Sequence, residues 1–208
     1  MLNKYARAFF TKVFTPVAKL FLKMGISPDV VTIIGTLGVC FGALAFYPRH
    51  EFLIGTLVIT AFVFSDTIDG VMARMSGRSS VWGAYLDSTL DRVGDAAIFG
   101  ALVLYYAGDQ GHNMLLAGLA LACLIFGSVV SYAKARAEGL GMTANVGIAE
   151  RAERLVVVLV ATGLCGWFLR PWETWIMGVV LGLLALASFI TVMQRMLTVR
   201  QQALGKAL

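Results

Sequence analysis

The sequence predicts an all-α integral membrane protein: six transmembrane helices plus an N-terminal interfacial amphipathic helix. Three observations point to that class. Of 208 residues, 59% are hydrophobic and 14% charged, too apolar for a soluble globular domain. The apolar residues come in long uncharged blocks. The basic residues gather on alternate connections between those blocks. The expected organisation is a single membrane domain over 1–208, with 1–24 the interfacial helix and 25–200 the six-helix bundle.

In the first segment, Leu2, Tyr5, Ala6, Phe9, Val13, Val17, Leu20, Phe21 and Met24 recur at helical spacing. Lys4, Arg7, Thr11, Lys12, Thr15, Lys19 and Lys23 fall on the opposite face. The pattern predicts a helix lying in the inner interface and kinked at Pro16. Charges recur throughout it with no clean apolar core, which argues against a signal peptide.

The uncharged runs that follow are Val30–Tyr47, Phe52–Ser65, Ala96–Gly108, Asn113–Ala133, Leu155–Leu169 and Thr174–Gln194. A helix needs roughly 20 residues to cross a bilayer core. The first, fourth and sixth runs nearly reach that length alone. The others reach it only by taking in adjacent charged residues.

Six spans place both termini and the 2–3 and 4–5 loops on one side. That side holds Lys4, Arg7, Lys12, Lys19, Lys23, Arg74, Arg78, Lys134, Arg136, Arg151, Arg154, Arg195, Arg200 and Lys206. The other side holds Arg49 and Arg170, while Arg92 lies within a helix. The positive-inside bias predicts a multi-pass protein of the cytoplasmic membrane with both termini cytosolic. A net charge of +5 then answers an anionic membrane surface and anionic substrates. Nucleic acid is not an expected partner, because the basic residues are scattered over membrane loops. Cys40, Cys123 and Cys165 sit in three different spans without ligand-like spacing and read as small apolar fillers.

The second and third spans contain the chemistry, in "SDTIDGVMARMSGRSSVWGAYLDSTLD", Ser65 to Asp91. Asp66 and Asp69 arrive near the cytosolic end of the second span, spaced i, i+3. Asp87 and Asp91 sit in the first turns of the third, spaced i, i+4, so each pair shares a helix face. Consecutive antiparallel helices let the two pairs face one cleft. Charge within a membrane helix is costly, and facing like charges repel. Protonation, pairing with Arg74 and Arg92, or contact with water would each relieve one or two aspartates, not four at matched spacing.

Two divalent cations close the charge balance. Oxygen ligands with no His or Cys nearby favour Mg²⁺, with Mn²⁺ an alternative. A paired-metal carboxylate site is suited to in-line attack at phosphorus. Gly70 and Ala73 lie on the Asp66/Asp69 face, and Gly83 lies one turn before Asp87. Small residues there serve close helix packing or let a flat base or a diphosphate approach the backbone.

These residues carry a family resemblance. Asp66-x-x-Asp69-Gly70-x-x-Ala73-Arg74, eight residues, then Gly83-x-x-x-Asp87-x-x-x-Asp91 resembles the signature of the CDP-alcohol phosphotransferases without departure. That family moves a phosphatidyl-type group from a CDP-linked donor to an alcohol and releases CMP. The resemblance implies that Asp66, Asp69 and Asp87 bind the metals, and that Asp91 contacts the second metal and acts as general base. It further implies that Gly70, Ala73 and Gly83 border the cytidine and Arg74 the diphosphate, with Asp66 and Asp69 also counted in the donor site. Homodimers are implied in the same way. Asp95 lies outside the signature, and pairing with Arg92 or a neighbouring helix is its simpler account. "ISPDVVT", Ile26 to Thr32, resembles the Pro-x-x-x-Thr entry beside the nucleotide in related enzymes, making Asp29 and Thr32 candidate donor contacts. A plain helix start explains the same residues equally well. Ser80, between the half-motifs, is a candidate diphosphate contact.

The signature does not identify the alcohol. Lys134, Arg154 and Arg195, on the cytosolic ends of spans four to six, form a candidate pocket for a phosphorylated acceptor. "YAKARAEGLG" and "GIAERAERL" resemble the bacterial phosphatidylinositol phosphate synthases within the family. That implies CDP-diacylglycerol as donor and inositol phosphate as acceptor. The nearest alternative acceptor is glycerol 3-phosphate, giving phosphatidylglycerol phosphate. A divalent-cation transporter is the alternative from another class, but it needs a polar path that the apolar outer halves of spans two and three lack.

Overall fold

The computed structural model describes residues 2–77 and 80–205, with the backbone alone for residues 2–12 and Asp66. The described chain is all-α: α1 (Leu2–Lys23), α2 (Pro28–Phe46), α3 (Phe52–Val63), α4 (Ser65–Ser76), α5 (Val81–Ala107), α6 (Met114–Gly139), α7 (Arg151–Trp167) and α8 (Glu173–Gly205). Single 3₁₀ turns at Tyr47–Arg49 and Arg170–Trp172 precede α3 and α8.

Each helix end has a local cause. Ser27 Oγ accepts the Val30 N–H, and Pro28 and Asp29 open α2, where a missing N–H costs nothing and a negative charge meets the helix dipole. Gly77 ends α4 at φ 65°, the left-handed conformation that only glycine takes without strain. Ser80 Oγ accepts the Gly83 N–H at 2.9 Å and so starts α5. Asn113 caps α6 through the Leu116 N–H, and Glu150 with Glu153 forms a capping box on α7.

Four stretches among the described residues are long and apolar enough to cross a membrane: Pro28–Arg49, Phe52–Ser76, Met114–Gly139 and Arg170–Gly205. The second joins α3 and α4 across a break at Phe64. The chain is therefore an all-α membrane protein with several long apolar helices. Two of the six expected spans lie outside this set. α5 carries Asp87, Asp91, Arg92 and Asp95, and α7 has only 17 residues with Arg151, Glu153 and Arg154 at its start.

The chain divides into two compact units. The first comprises Met1–Ala45 and Leu57–Ile98. In it, Gly35, Gly38 and Gly42 present a smooth strip of α2. Side chains added there would strike Ser65, Phe62 and Val58 respectively, so the helices meet at backbone distance. α1 runs helically through Pro16, and Ala18 packs with Val31, Val71 and Met72, flanked by Phe21, Leu22, Ile26 and Ile68. Phe14 and Phe64 rings add a contact at 5.7 Å. Val13, Leu20 and Met24 of α1 remain exposed. The expected faces at Leu2–Lys12 concern side chains outside the described residues.

The second unit comprises Phe46–Thr56 and Phe99–Leu208. α6 and α8 run parallel in it, with Leu116 near Gly178, Cys123 Sγ donating to the Leu181 carbonyl and Arg195 reaching the Val130 carbonyl. The loop after α6 is held by α8: Thr191 Oγ1 accepts the Ile148 and Ala149 N–H groups, and Gln202 bonds both the N–H and the carbonyl of Thr143. Cys123 and Cys165 are buried and Cys40 half-buried, all three free, as expected of apolar fillers.

Candidate functional site

The first unit holds a cleft of about 220 Å³ lined by Pro28, Asp29, Thr32, Asp69, Gly70, Ala73, Ser80, Gly83, Ala84 and Asp87. Three helix starts or turns build it: the entry of α2, the middle of α4 and the first turns of α5. Asp29, Thr32, Asp69, Gly70, Ala73, Ser80, Gly83 and Asp87, all singled out from the sequence, come together here. Ala84 was missed, although its position three residues before Asp87 puts it on the same helix face.

Asp69 is buried, 7% exposed, and Thr32 Oγ1 donates to its Oδ2 at 2.5 Å. The same hydroxyl lies 3.1 Å from the Pro28 carbonyl. One proton cannot serve both acceptors well, and the shorter, charge-assisted contact takes it. Thr32 thus orients the carboxylate from across the unit. Asp87, in contrast, is exposed.

The glycines form wall rather than filler. A Cβ on Gly83 would lie 3.2 Å from Ser80 Oγ and 3.7 Å from Asp29 Oδ1. At Gly70 the nearest group is Arg74 Nη1, at 3.5 Å from such a Cβ, so the guanidinium hangs beside that glycine. Arg74 itself is exposed and does not line the cleft. Ser80 accepts the Gly83 N–H as a helix cap, which leaves its own O–H as the donor for a ligand.

Asp91 is half-buried and absent from the cleft wall. Its Oδ2 lies 3.6 Å from Arg92 Nη2, and that nitrogen is also 3.7 Å from Asp95 Oδ2. The pairing with Arg92 expected for Asp95 is therefore present, and Asp91 shares it. The Asp66 side chain lies outside the described residues. Among the described residues, no group of three or more His, Cys, Asp or Glu is placed to hold a metal. Of the predicted quartet, Asp69 and Asp87 are brought to one cleft. Their donors are oxygens alone, which suits a hard divalent cation and not zinc.

The basic residues predicted for an acceptor lie in the second unit and are more enclosed than expected. Arg154 is 2% exposed, donates from Nη1 to the Ala149 carbonyl at 3.3 Å and lies flat on Gly127, where a Cβ would sit 3.2 Å from its Cζ. Arg195 is 4% exposed, with Nε 2.9 Å from the Val146 carbonyl and Nη1 2.6 Å from the Val130 carbonyl. The physical reason is the loop between α6 and α7. Its Val146 and Ala149 carbonyls lie outside any helix, and a guanidinium offers five donors with which to satisfy them; Arg195 also reaches the Val130 carbonyl inside α6. Lys134 is half-buried and enters no salt bridge among the described residues.

Comparisons with known proteins agree with one another. The profile of the CDP-alcohol phosphatidyltransferase family matches residues 25–200. A phosphatidylinositol phosphate synthase of Streptomyces avermitilis is 54% identical over 206 residues, covering 98% of this chain and 84% of that protein. The crystal structure of the Mycobacterium tuberculosis phosphatidylinositol phosphate synthase with CDP-DAG bound superposes with a TM-score of 0.85 at 40% identity, covering 90% of this chain and 94% of that one. The same mycobacterial protein in complex with manganese and citrate gives a TM-score of 0.84 at 41% identity, covering 89% and 88% of the two chains.

Proposed function

This chain belongs to the CDP-alcohol phosphatidyltransferase family, and we propose on that premise that it transfers the phosphatidyl group of CDP-diacylglycerol to inositol phosphate. The observation that carries the reading is the cleft in which both halves of the aspartate signature meet the α2 entry.

In this reading the donor's cytidine lies against Gly70, Ala73 and Gly83, where missing side chains admit a flat base. Asp29, Thr32, Ser80 and Arg74 face its ribose and diphosphate, and the acyl chains remain in the bilayer. Asp66, Asp69, Asp87 and Asp91 hold divalent cations, two Mg²⁺ with Mn²⁺ as substitute. A cation there supplies charge neutralisation for the diphosphate oxygens as the bond to CMP breaks. Thr32 fixes one Asp69 oxygen, so that carboxylate is oriented before any ligand binds.

Asp91 takes the proton of the acceptor hydroxyl. The hydroxyl oxygen forms a bond to the β-phosphorus of the donor, the bond from that phosphorus to the bridging oxygen breaks, and CMP leaves with the electron pair. Arg92, with Nη2 3.6 Å from Asp91 Oδ2, steadies the Asp91 carboxylate. Lys134, Arg154 and Arg195 receive the acceptor's phosphate.

The membrane arrangement belongs to the same proposal. α2, α3 with α4, α5, α6, α7 and α8 form six spans of one membrane domain, α1 lies in the inner interface, both termini are cytosolic, and the protein is a homodimer of the cytoplasmic membrane. The positive-inside distribution supports the orientation.

Purified protein given CDP-diacylglycerol, Mg²⁺ and inositol phosphate should release CMP. Free inositol and glycerol 3-phosphate, offered in competition, should be poorer acceptors. Absence of CMP with every alcohol phosphate would overturn the enzyme reading, and a preference for glycerol 3-phosphate would overturn the acceptor.

A further inference from the structure

In the second unit, the parallel helices α6 and α8 leave a groove of about 420 Å³ between their C-terminal halves. Of the three basic residues assigned to the acceptor, neither Lys134 nor Arg154 lines it. Arg195 does, but its Nε and Nη1 are taken up by the Val146 and Val130 carbonyls.

The groove is polarised along its length. Val129, Tyr132, Val192, Arg195 and Met196 line it nearer the middle of the helices, and Arg136 and Arg200 line it nearer their C-terminal ends. Both arginines are exposed, and neither enters a salt bridge among the described residues. Tyr132 is 68% exposed and Met196 58%, so the apolar wall is offered outward rather than closed by the protein. From Val129 to Leu140 the wall extends about 16 Å along α6 at 1.5 Å per residue. That is the reach of a lipid acyl chain. α6 and α8 lie in two of the stretches long and apolar enough to cross a bilayer.

We propose that this groove is a binding site for an anionic phospholipid, with an acyl chain along Val129, Val192 and Met196 and the head-group phosphate between Arg136 and Arg200. The charge complementarity selects the occupant. A zwitterionic lipid fills the apolar wall but brings its own cation to two arginines. A free phosphate matches the arginines but makes nothing of an apolar groove. Juxtamembrane arginines attract anionic lipid head groups. The proposal does not rest on the catalytic reading: Arg136 and Arg200 are assigned to neither substrate, and Arg195 is the one lining residue the two readings share.

The test uses the full chain in detergent, titrated with phosphatidylglycerol or phosphatidylcholine of identical acyl chains, with bound lipid counted by native mass spectrometry. Phosphatidylglycerol should be retained in preference, and R136Q with R200Q should weaken its retention about tenfold or more. R170Q, at the opposite ends of the helices, should leave it unchanged. Ala133→Trp, which fills the groove without touching its charge, should also displace the lipid while the thermal midpoint stays near that of the parent. Equal retention of the two lipids, an unchanged affinity in the double variant, or displacement of phosphatidylglycerol by inorganic phosphate alone would overturn the proposal. So would a groove that binds no lipid because a second copy of the chain covers it, read as a dimer that R136Q with R200Q dissociates.

Discussion

Thr32→Val removes one hydroxyl and keeps the volume and branching of the side chain. In the parent, that hydroxyl donates to the buried Asp69 carboxylate at 2.5 Å. A hydrogen bond to a charged group contributes about 1.5–3 kcal/mol, and the variant removes this one from a buried carboxylate. At 1.4 kcal/mol per factor of ten, that is a fall of about 10- to 150-fold if the whole term appears in catalysis. Because Asp69 lines the cleft, kcat/KM for CDP-diacylglycerol is where it should appear. The assay is CMP release against donor concentration at saturating inositol phosphate. Thr36→Val is the matched control: Thr36 Oγ1 donates to the Thr32 carbonyl at 3.0 Å and touches no carboxylate, so its loss should change kcat/KM less than twofold. Thr32→Ser, which restores the donor, should recover most of the activity. A Thr32→Val enzyme within twofold of the parent, folded to the same thermal midpoint, would refute the claim that this hydroxyl orients Asp69 for use.

Other variants probe the remaining assignments. Asp91→Asn should lower kcat by about 10²- to 10⁴-fold, the scale of general-base catalysis, while donor binding measured directly is kept; normal turnover would remove Asp91 from that role. Arg195→Gln should raise the acceptor KM far more than the donor KM, and should also lower the thermal midpoint, since it unties Val130 and Val146 from α8. Equal effects on both KM values would count against an acceptor pocket at that residue. For packing, Gly166→Ala should cost about 1–3 kcal/mol in thermal or denaturant unfolding, because its Cβ would run into the Leu53 backbone nitrogen and Phe52. Gly182→Ala, where nothing lies near, should be neutral or stabilising; the reverse order would contradict the helix packing described for the second unit.

Much of the cleft was readable in advance, because it depends on short-range spacing. Gly70 and Ala73 must share the Asp69 face of α4 once a helix forms, and Gly83 must stand one turn before Asp87 on α5. The Pro28–Asp29 entry and the Ser80 cap are similarly local. Less legible was anything that needs two side chains from distant segments to choose partners. The sequence offers Asp91 and Asp95 a choice of Arg74, Arg92, water or metal, and the structure shows Arg92 within reach of both. It offers Arg154 and Arg195 as free cations, whereas the carbonyls of Ala149 and Val146 in the loop after α6, and of Val130 within α6, engage them.

The sequence by itself therefore determined the class of this protein, its long apolar helices and most of the residues that line the cleft of the first unit. Each of these follows from hydropathy, charge counting or helical period, quantities that add up along the chain. Tertiary structure alone decided that Thr32 bonds Asp69 across 37 residues of sequence, and that α6 and α8 leave an arginine-mouthed groove between them. Those outcomes depend on which helices lie side by side and on which unsatisfied carbonyl or carboxylate each donor meets there. Such competition is settled in space, after the helices have formed.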